Sequence, residues 1–250
     1  MVRIGEMLED VTVCATRLNI KIVRLTGRVD ATIIEGVDDP KNIRIIMNMI
    51  TKHVYPDFRG RFGIQDLRTL KKLLLLGKER NGTVGVARDK YFDPPLVSAI
   101  AIKSGDLVSY HQLMRDNLPL QMVNKLGALN WDLSFALAKS RTKAFSKIAP
   151  TMAKFDEKNF SITTRDAKLI FTIGDEKDER TAGVPKITIH DDVKTDIVPD
   201  VQWKCGSFMK VMRACGNRNP LMQISNQGVI KFYFDTGVAE YLICLPGFKS

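Results

Sequence analysis

The sequence predicts an α+β fold of two similar domains, each with antiparallel sheets and helices on one face. Two observations predict it. Amphipathic helical stretches alternate with short β-rich runs bounded by turn residues, and this plan, a helix followed by a meander of strands, occurs twice along the 250 residues. The closing stretch, with turns at Asn226-Gln-Gly228 and Thr236-Gly237, reads as a three-strand antiparallel meander over Leu221–Ser225, Val229–Phe234 and Ala239–Leu245.

The first residues carry Ile4, Met7, Leu8, Val11 and Cys14 at helical spacing, while Val11-Thr12-Val13 suits a strand equally well. From Ile20 to Ile34 two β-rich segments flank Thr26-Gly27, which predicts a hairpin turning there. A strand over Ile43–Met49 follows. Between Gly63 and Gly77, residues Ile64, Leu67, Leu70, Leu74 and Leu75 share one face of a helical wheel and Arg68, Thr69 and Lys72 the other. Thr83–Arg88 and Leu96–Lys103 are strands on either side of Asp93-Pro94-Pro95, a turn that no central strand could contain.

Residues 106–130 have mixed periodicity broken by Pro119 and Gly127. The expected division is therefore a domain over 1–116, a connector over 117–130 and a second domain over 131–250. In the second domain, Ser140–Phe155 reads as a helix with Phe145, Ile148, Ala149 and Met152 on one side and Lys143, Lys147 and Lys154 on the other. Strands follow over Phe160–Thr164, Lys168–Ile173 and Lys186–His190. A helix over Lys204–Cys215 then turns Phe208, Val211, Met212 and Cys215 inward and Lys210 and Arg213 outward.

Thirty-eight Lys and Arg against 28 Asp and Glu leave a net charge of +10, which favours a polyanionic partner. The positions of the charges sharpen this. Arg68, Lys72, Lys143, Lys147, Lys154, Lys210 and Arg213 fall on helix outer faces where Asp66 is the main acidic exception. Acidic residues gather instead in loops such as Asp38-Asp39 and Asp175–Glu179. Cations on helix faces attract phosphates without reading bases, and so suit a protein that slides along nucleic acid. Neither a helix-turn-helix, a zinc finger nor an aromatic single-strand platform is legible.

Catalytic chemistry is not legible either. His53, His111 and His190 lack partners at catalytic spacing, and Gly82-Thr-Val-Gly85 lacks the residues of a phosphate loop. His190-Asp191-Asp192 reads as a solvated turn and not as a metal site. The expectation is a non-enzyme with no cofactor and no metal. Cys14, Cys205, Cys215 and Cys244 lack metal-ligand spacing and read as buried thiols, and no run of about 18 apolar residues marks a membrane span. The chain is thus expected to be soluble and cytoplasmic.

The stretch Trp203-Lys-Cys-Gly-Ser-Phe-Met-Lys-Val-Met-Arg-Ala214, with Leu221-Met-Gln-Ile-Ser225, Gly228-Val-Ile-Lys-Phe-Tyr-Phe-Asp235 and Ala239-Glu-Tyr-Leu-Ile-Cys-Leu-Pro246, resembles the last helix and strands of DNA polymerase sliding clamps. Lys143–Ile173 shows a similar order. The resemblance runs over Ser140–Pro246 and, more loosely, Phe62–Lys103; it is nearest to the trimeric clamps of T4-like bacteriophages, with proliferating cell nuclear antigen more distant. It implies a DNA-clamp fold and a head-to-tail homotrimeric ring in which edge strands of neighbouring subunits pair and basic helices line the hole. It also implies a function, encircling double-stranded DNA and tethering the DNA polymerase, with an ATP-dependent clamp loader as a further partner and the host cytoplasm as the location. Leu126, Leu129, Leu242, Leu245 and Pro246 are the candidates it supplies for a pocket that takes partner peptides. The alternative reading is a monomeric DNA-binding replication or transcription accessory protein of clamp-like fold.

Overall fold

In the computed structural model the described residues are 4–39, 42–91, 96–114, 129–138, 140, 159–174, 186–197 and 199–249. They form two compact units. The first comprises Met1–Pro40, Met47–Val123 and Asp235–Tyr241; the second comprises Lys41–Ile46, Asn124–Phe234 and Leu242–Ser250. Each unit takes a short piece of chain from the half that otherwise builds the other.

The first unit opens with α1 (Ile4–Arg17), which resolves the ambiguity at the N-terminus in favour of helix. Its buried positions Met7, Leu8, Val11, Thr12, Cys14 and Ala15 keep helical spacing, and a strand would have exposed half of them. Thr12 fits because its hydroxyl donates to the Glu9 carbonyl at 3.0 Å. Strands β1 (Val23–Gly27), β2 (Thr32–Val37), β3 (Ile46–Thr51) and β4 (Gly60–Ile64) follow, hydrogen-bonded in the order β4-β1-β2-β3. Helix α2 (Leu67–Glu79) precedes a second sheet, β5 (Thr83–Asp89), β6 (Leu96–Ser104) and β7 (Leu107–Gln112), in the order β5-β6-β7.

Several expectations are corrected here. The β1–β2 hairpin turns at residues 28–31, where the Arg28 N–H donates to the Ala31 carbonyl at 2.8 Å, and not at Thr26-Gly27. Gly27 is instead a strand residue paired with both Thr32 and Gly60. A side chain there would place its Cβ 1.6 Å from the Phe58 carbonyl oxygen, so glycine serves a close backbone approach. The helix expected from Gly63 starts at Leu67, because Gly63 and Ile64 pair with β1. Leu75 is 41% exposed, so the apolar face of α2 is Leu67, Leu70 and Leu74. Strand β7 lies where a connection was expected to begin; it pairs with β6 across the Gly105-Asp106 turn, Gly105 taking a φ of +56°.

The second unit contains β8 (Leu133–Ala136), β9 (Asn159–Arg165), β10 (Lys168–Ile173), β11 (Lys186–Asp191), β12 (Trp203–Lys204), α3 (Cys205–Cys215), β13 (Leu221–Ser225) and β14 (Val229–Asp235). The last strand, β15 (Ala239–Pro246), contributes Leu242–Pro246 to this unit. Its two sheets run β15-β14-β13-β8 and β11-β10-β9-β12. Helix α3 is held between them. The Phe208 ring meets Phe160 and Phe171 edge-on at 5.4 and 5.2 Å on one side and Phe232 at 5.8 Å on the other. A helix covered on two sides has little room for solvent, and all its residues except Lys210 and Arg213 are buried.

The four cysteines are free and buried. Burial pushes the Cys215 thiol up to about 12 and Cys244 to about 11, which leaves both protonated and unreactive near neutrality. No helix among the described residues is long and apolar enough to cross a membrane.

Candidate DNA-facing helices and sheet edges

Arg68 and Lys72 stand one turn apart on the exposed face of α2, with half-buried Lys71 beside them. The residue that had seemed to interrupt this face is accounted for by the helix start. Asp66 is the N-cap, in a left-handed conformation with φ 47°, and its carboxylate accepts the Thr69 N–H at 3.3 Å. Hydrogen bonds from the Thr69 side chain and backbone hold its carboxyl below the usual carboxylate range. A carboxyl with a depressed folded value adds stability above its unfolded value and loses it as pH falls through the folded one. Acidification below the ordinary Asp range is therefore expected to fray the first turn of α2. Faster hydrogen exchange at Leu67–Thr69, after correction for intrinsic rates, would show it, and Asp66→Ala should show the same fraying at neutral pH.

On α3, Arg213 is exposed and Lys210 half-buried, so this helix offers a narrow cationic stripe. Lys143, Lys147 and Lys154 lie outside the described residues. Two cations that sequence reasoning missed also belong here, Lys71 and Lys21. Exposed Lys21 shares a groove of about 370 Å³ with Arg68, Thr16, Asn19 and Gln65. Lys21 lies 47 positions from Arg68 in the chain, and no local pattern joins them. By contrast α1 carries Glu6 and Glu9 on its polar side, and Glu9 pairs with Lys78 of α2 at 3.0 Å. The first unit's helices are thus cationic toward the start of α2 and balanced toward its end.

Edge strands end both smaller sheets. β7 exposes Leu107, Val108 and Tyr110, the last at 56%. Its one buried polar side chain, His111, bonds through Nε2 to the Gln65 carbonyl at 2.7 Å, tying the edge to the start of α2. β11 ends the β11-β10-β9-β12 sheet; of the triplet read as a solvated turn, Asp191 and Asp192 are exposed, while the His190 ring stacks on Phe135 at 4.2 Å. Among the described residues no group of His, Cys, Asp and Glu could hold a metal ion.

Of the residues expected to line a peptide pocket, Leu129, Leu242 and Pro246 are half-buried. Leu245 is 1% exposed and packs in the core, and its carbonyl accepts the Trp203 indole N–H at 3.1 Å. Leu126 lies outside the described residues. Near this C-terminal stretch the structure places Phe248 between the Arg44 guanidinium, 4.2 Å from the ring centroid, and the Lys204 ammonium at 5.5 Å.

Two units of antiparallel sheet, each with a helix that leads into a strand meander among the described residues, are the PCNA-like clamp fold. The solved structures make the likeness specific. The chain superposes with a TM-score of 0.67 on A. fulgidus PCNA bound to the C-terminal region of FEN-1, at 11% identity over 99% of this chain and 97% of that one. Against PCNA from Thermococcus kodakaraensis the TM-score is 0.66, at 10% identity over 98% and 97%. No protein-family model matches the sequence, and no curated protein matches it. At this identity the likeness is one of fold.

Proposed function

We propose that this chain is a sliding clamp, a ring subunit that encircles duplex DNA and tethers the replicative DNA polymerase without reading sequence. The observation that carries the reading is fold likeness to PCNA over nearly the whole chain, with Arg68 and Lys72 on an exposed helix face of one repeat and Lys210 and Arg213 at the corresponding helix of the other. Cations spread over helix faces attract phosphates at long range and permit sliding, as a tether requires. The ring would be a homotrimer of the kind that the C-terminal motifs resemble in T4-like phages, opened on DNA by an ATP-dependent loader. Partner peptides would dock near Leu129, Leu242 and Pro246.

In this reading the head-to-tail contact pairs β7 of one subunit with β11 of the next, because each ends a sheet and β7 bears an apolar strip. Placing lysine at Val108 and aspartate at Tyr110 should dissociate the ring while leaving the subunit folded, since both side chains are exposed. Light scattering at micromolar protein should then give the monomer mass for the double variant and three times that mass for the parent. Equal masses for the two proteins would refute the proposed contact.

A further inference from the structure

The second unit holds one of the chain's own aromatic rings in a seat made by two cations. Beyond β15 the backbone reaches Phe248, whose N–H donates to the Gln202 carbonyl at 2.9 Å and whose carbonyl accepts the Gln202 N–H at 2.9 Å, an isolated antiparallel bridge. Its ring meets the Arg44 guanidinium 4.2 Å from the centroid and the Lys204 ammonium at 5.5 Å. Arg44, Gln202, Lys204 and Phe248 all belong to this unit. Cations are drawn to the negative face of a ring, so the seat favours an aromatic over an aliphatic side chain of equal bulk.

The occupant is lightly held. Gly247 is the last fixed point: its N–H donates to the Gly228 carbonyl at 2.7 Å, and a Cβ on it would lie 2.6 Å from Val201 Cγ2. Past it Phe248 is half-buried and Lys249 exposed, whereas Trp203 and Leu245 nearby are each 1% exposed. Lys249 meets Asp200 at 3.9 Å, and with side chains 82% and 99% exposed that pair adds little. Rotation after Gly247 therefore breaks two backbone bonds and two ring contacts and opens no core.

We propose that the seat formed by Arg44, Lys204 and the Gln202 backbone takes an aromatic residue of an extended partner peptide, and that Phe248 fills it in cis until the partner displaces it. The incoming residue would repeat both bonds to Gln202, as a residue of an added strand does, and present its ring to the same two cations. Phe248 follows Pro246 by two residues, so the proposal rests on the peptide-docking reading above and adds the residue type bound and the device that controls access. An occupied seat lowers a competitor's apparent affinity by the fraction of time it stands open.

The probe is a fluorescent peptide copied from Leu245–Lys249 of the chain itself, with phenylalanine as its one aromatic residue. Anisotropy should show saturable binding to Phe248→Ala and binding about tenfold weaker to the parent, whose seat is filled. Phe248→Leu, which keeps apolar bulk but lacks the ring face, should fall between the two. A peptide with cyclohexylalanine in place of phenylalanine should bind Phe248→Ala about fivefold more weakly. In the parent, saturating peptide should speed hydrogen exchange at Phe248 and leave Gln202 protected. No binding to Phe248→Ala, equal affinity for parent and variant, or equal binding by the cyclohexylalanine peptide would overturn the proposal. None of these readouts involves DNA or ring mass, so a negative result leaves encirclement standing, and a failed ring test with this binding intact would sink the clamp reading alone.

Discussion

Replacing Arg68, Lys72, Lys210 and Arg213 together by alanine is expected to abolish most of the chain's attraction to duplex DNA while leaving its oligomeric mass unchanged. Each phosphate contact removed should lower the slope of log affinity against log salt by about 0.9, so loss of even three contacts per subunit changes affinity by orders of magnitude at moderate salt. Arg68, Lys72 and Arg213 are exposed and Lys210 is half-buried. Surface truncations of this kind cost about 0.5 kcal/mol or less each, so folding should survive. Titrating labelled duplex at several salt concentrations separates the two effects. An unchanged slope in the quadruple variant would remove these helices from the DNA-facing surface.

The largest loss of stability is expected from Trp203→Ala. Trp203 is 1% exposed, pairs opposite Phe160 across β12 and β9, and donates its indole N–H to the Leu245 carbonyl. Its removal deletes a large ring from the aromatic cluster around Phe208 and leaves a buried carbonyl without its donor. The cost should be about 3–5 kcal/mol, and Trp203→Phe, which keeps most of the apolar volume, should cost less. Because the chain has two compact units, urea unfolding followed by circular dichroism should shift the second unit's transition. A midpoint unmoved by the alanine variant would mean that the cluster does not hold this unit together.

Trp203 also illustrates what local sequence carries. Its surroundings, α3 and the strands Lys168–Ile173 and Leu221–Ser225, were legible to the residue or nearly so, because each carries an apolar pattern bounded by turn residues. β7 was not legible. As an edge strand it exposes Leu107, Val108 and Tyr110 and buries His111, which erases the alternation that marks a half-buried strand. Gly27 was read as a turn because glycine usually marks one, whereas its reason lies 31 residues away at the Phe58 carbonyl.

The candidate site divides in the same way. The exposure of Arg68, Lys72 and Arg213 follows from a helical wheel, and it was visible before any fold was known. The half-burial of Lys210 has no counterpart in the helical wheel, and the proximity of Lys21 to Arg68 follows from the packing of α1 beside α2. Leu245 was a pocket candidate through the family resemblance alone, and its 1% exposure places it in the core.

The clamp reading is tested most directly by topology. The protein is allowed to thread onto biotinylated linear duplex, both ends are capped with streptavidin, and the complex is washed in salt high enough to dissolve phosphate contacts. A ring predicts retention on the capped DNA and release once a restriction enzyme cuts between the caps. Equal loss from capped and cut DNA would contradict encirclement and leave only a salt-sensitive surface contact.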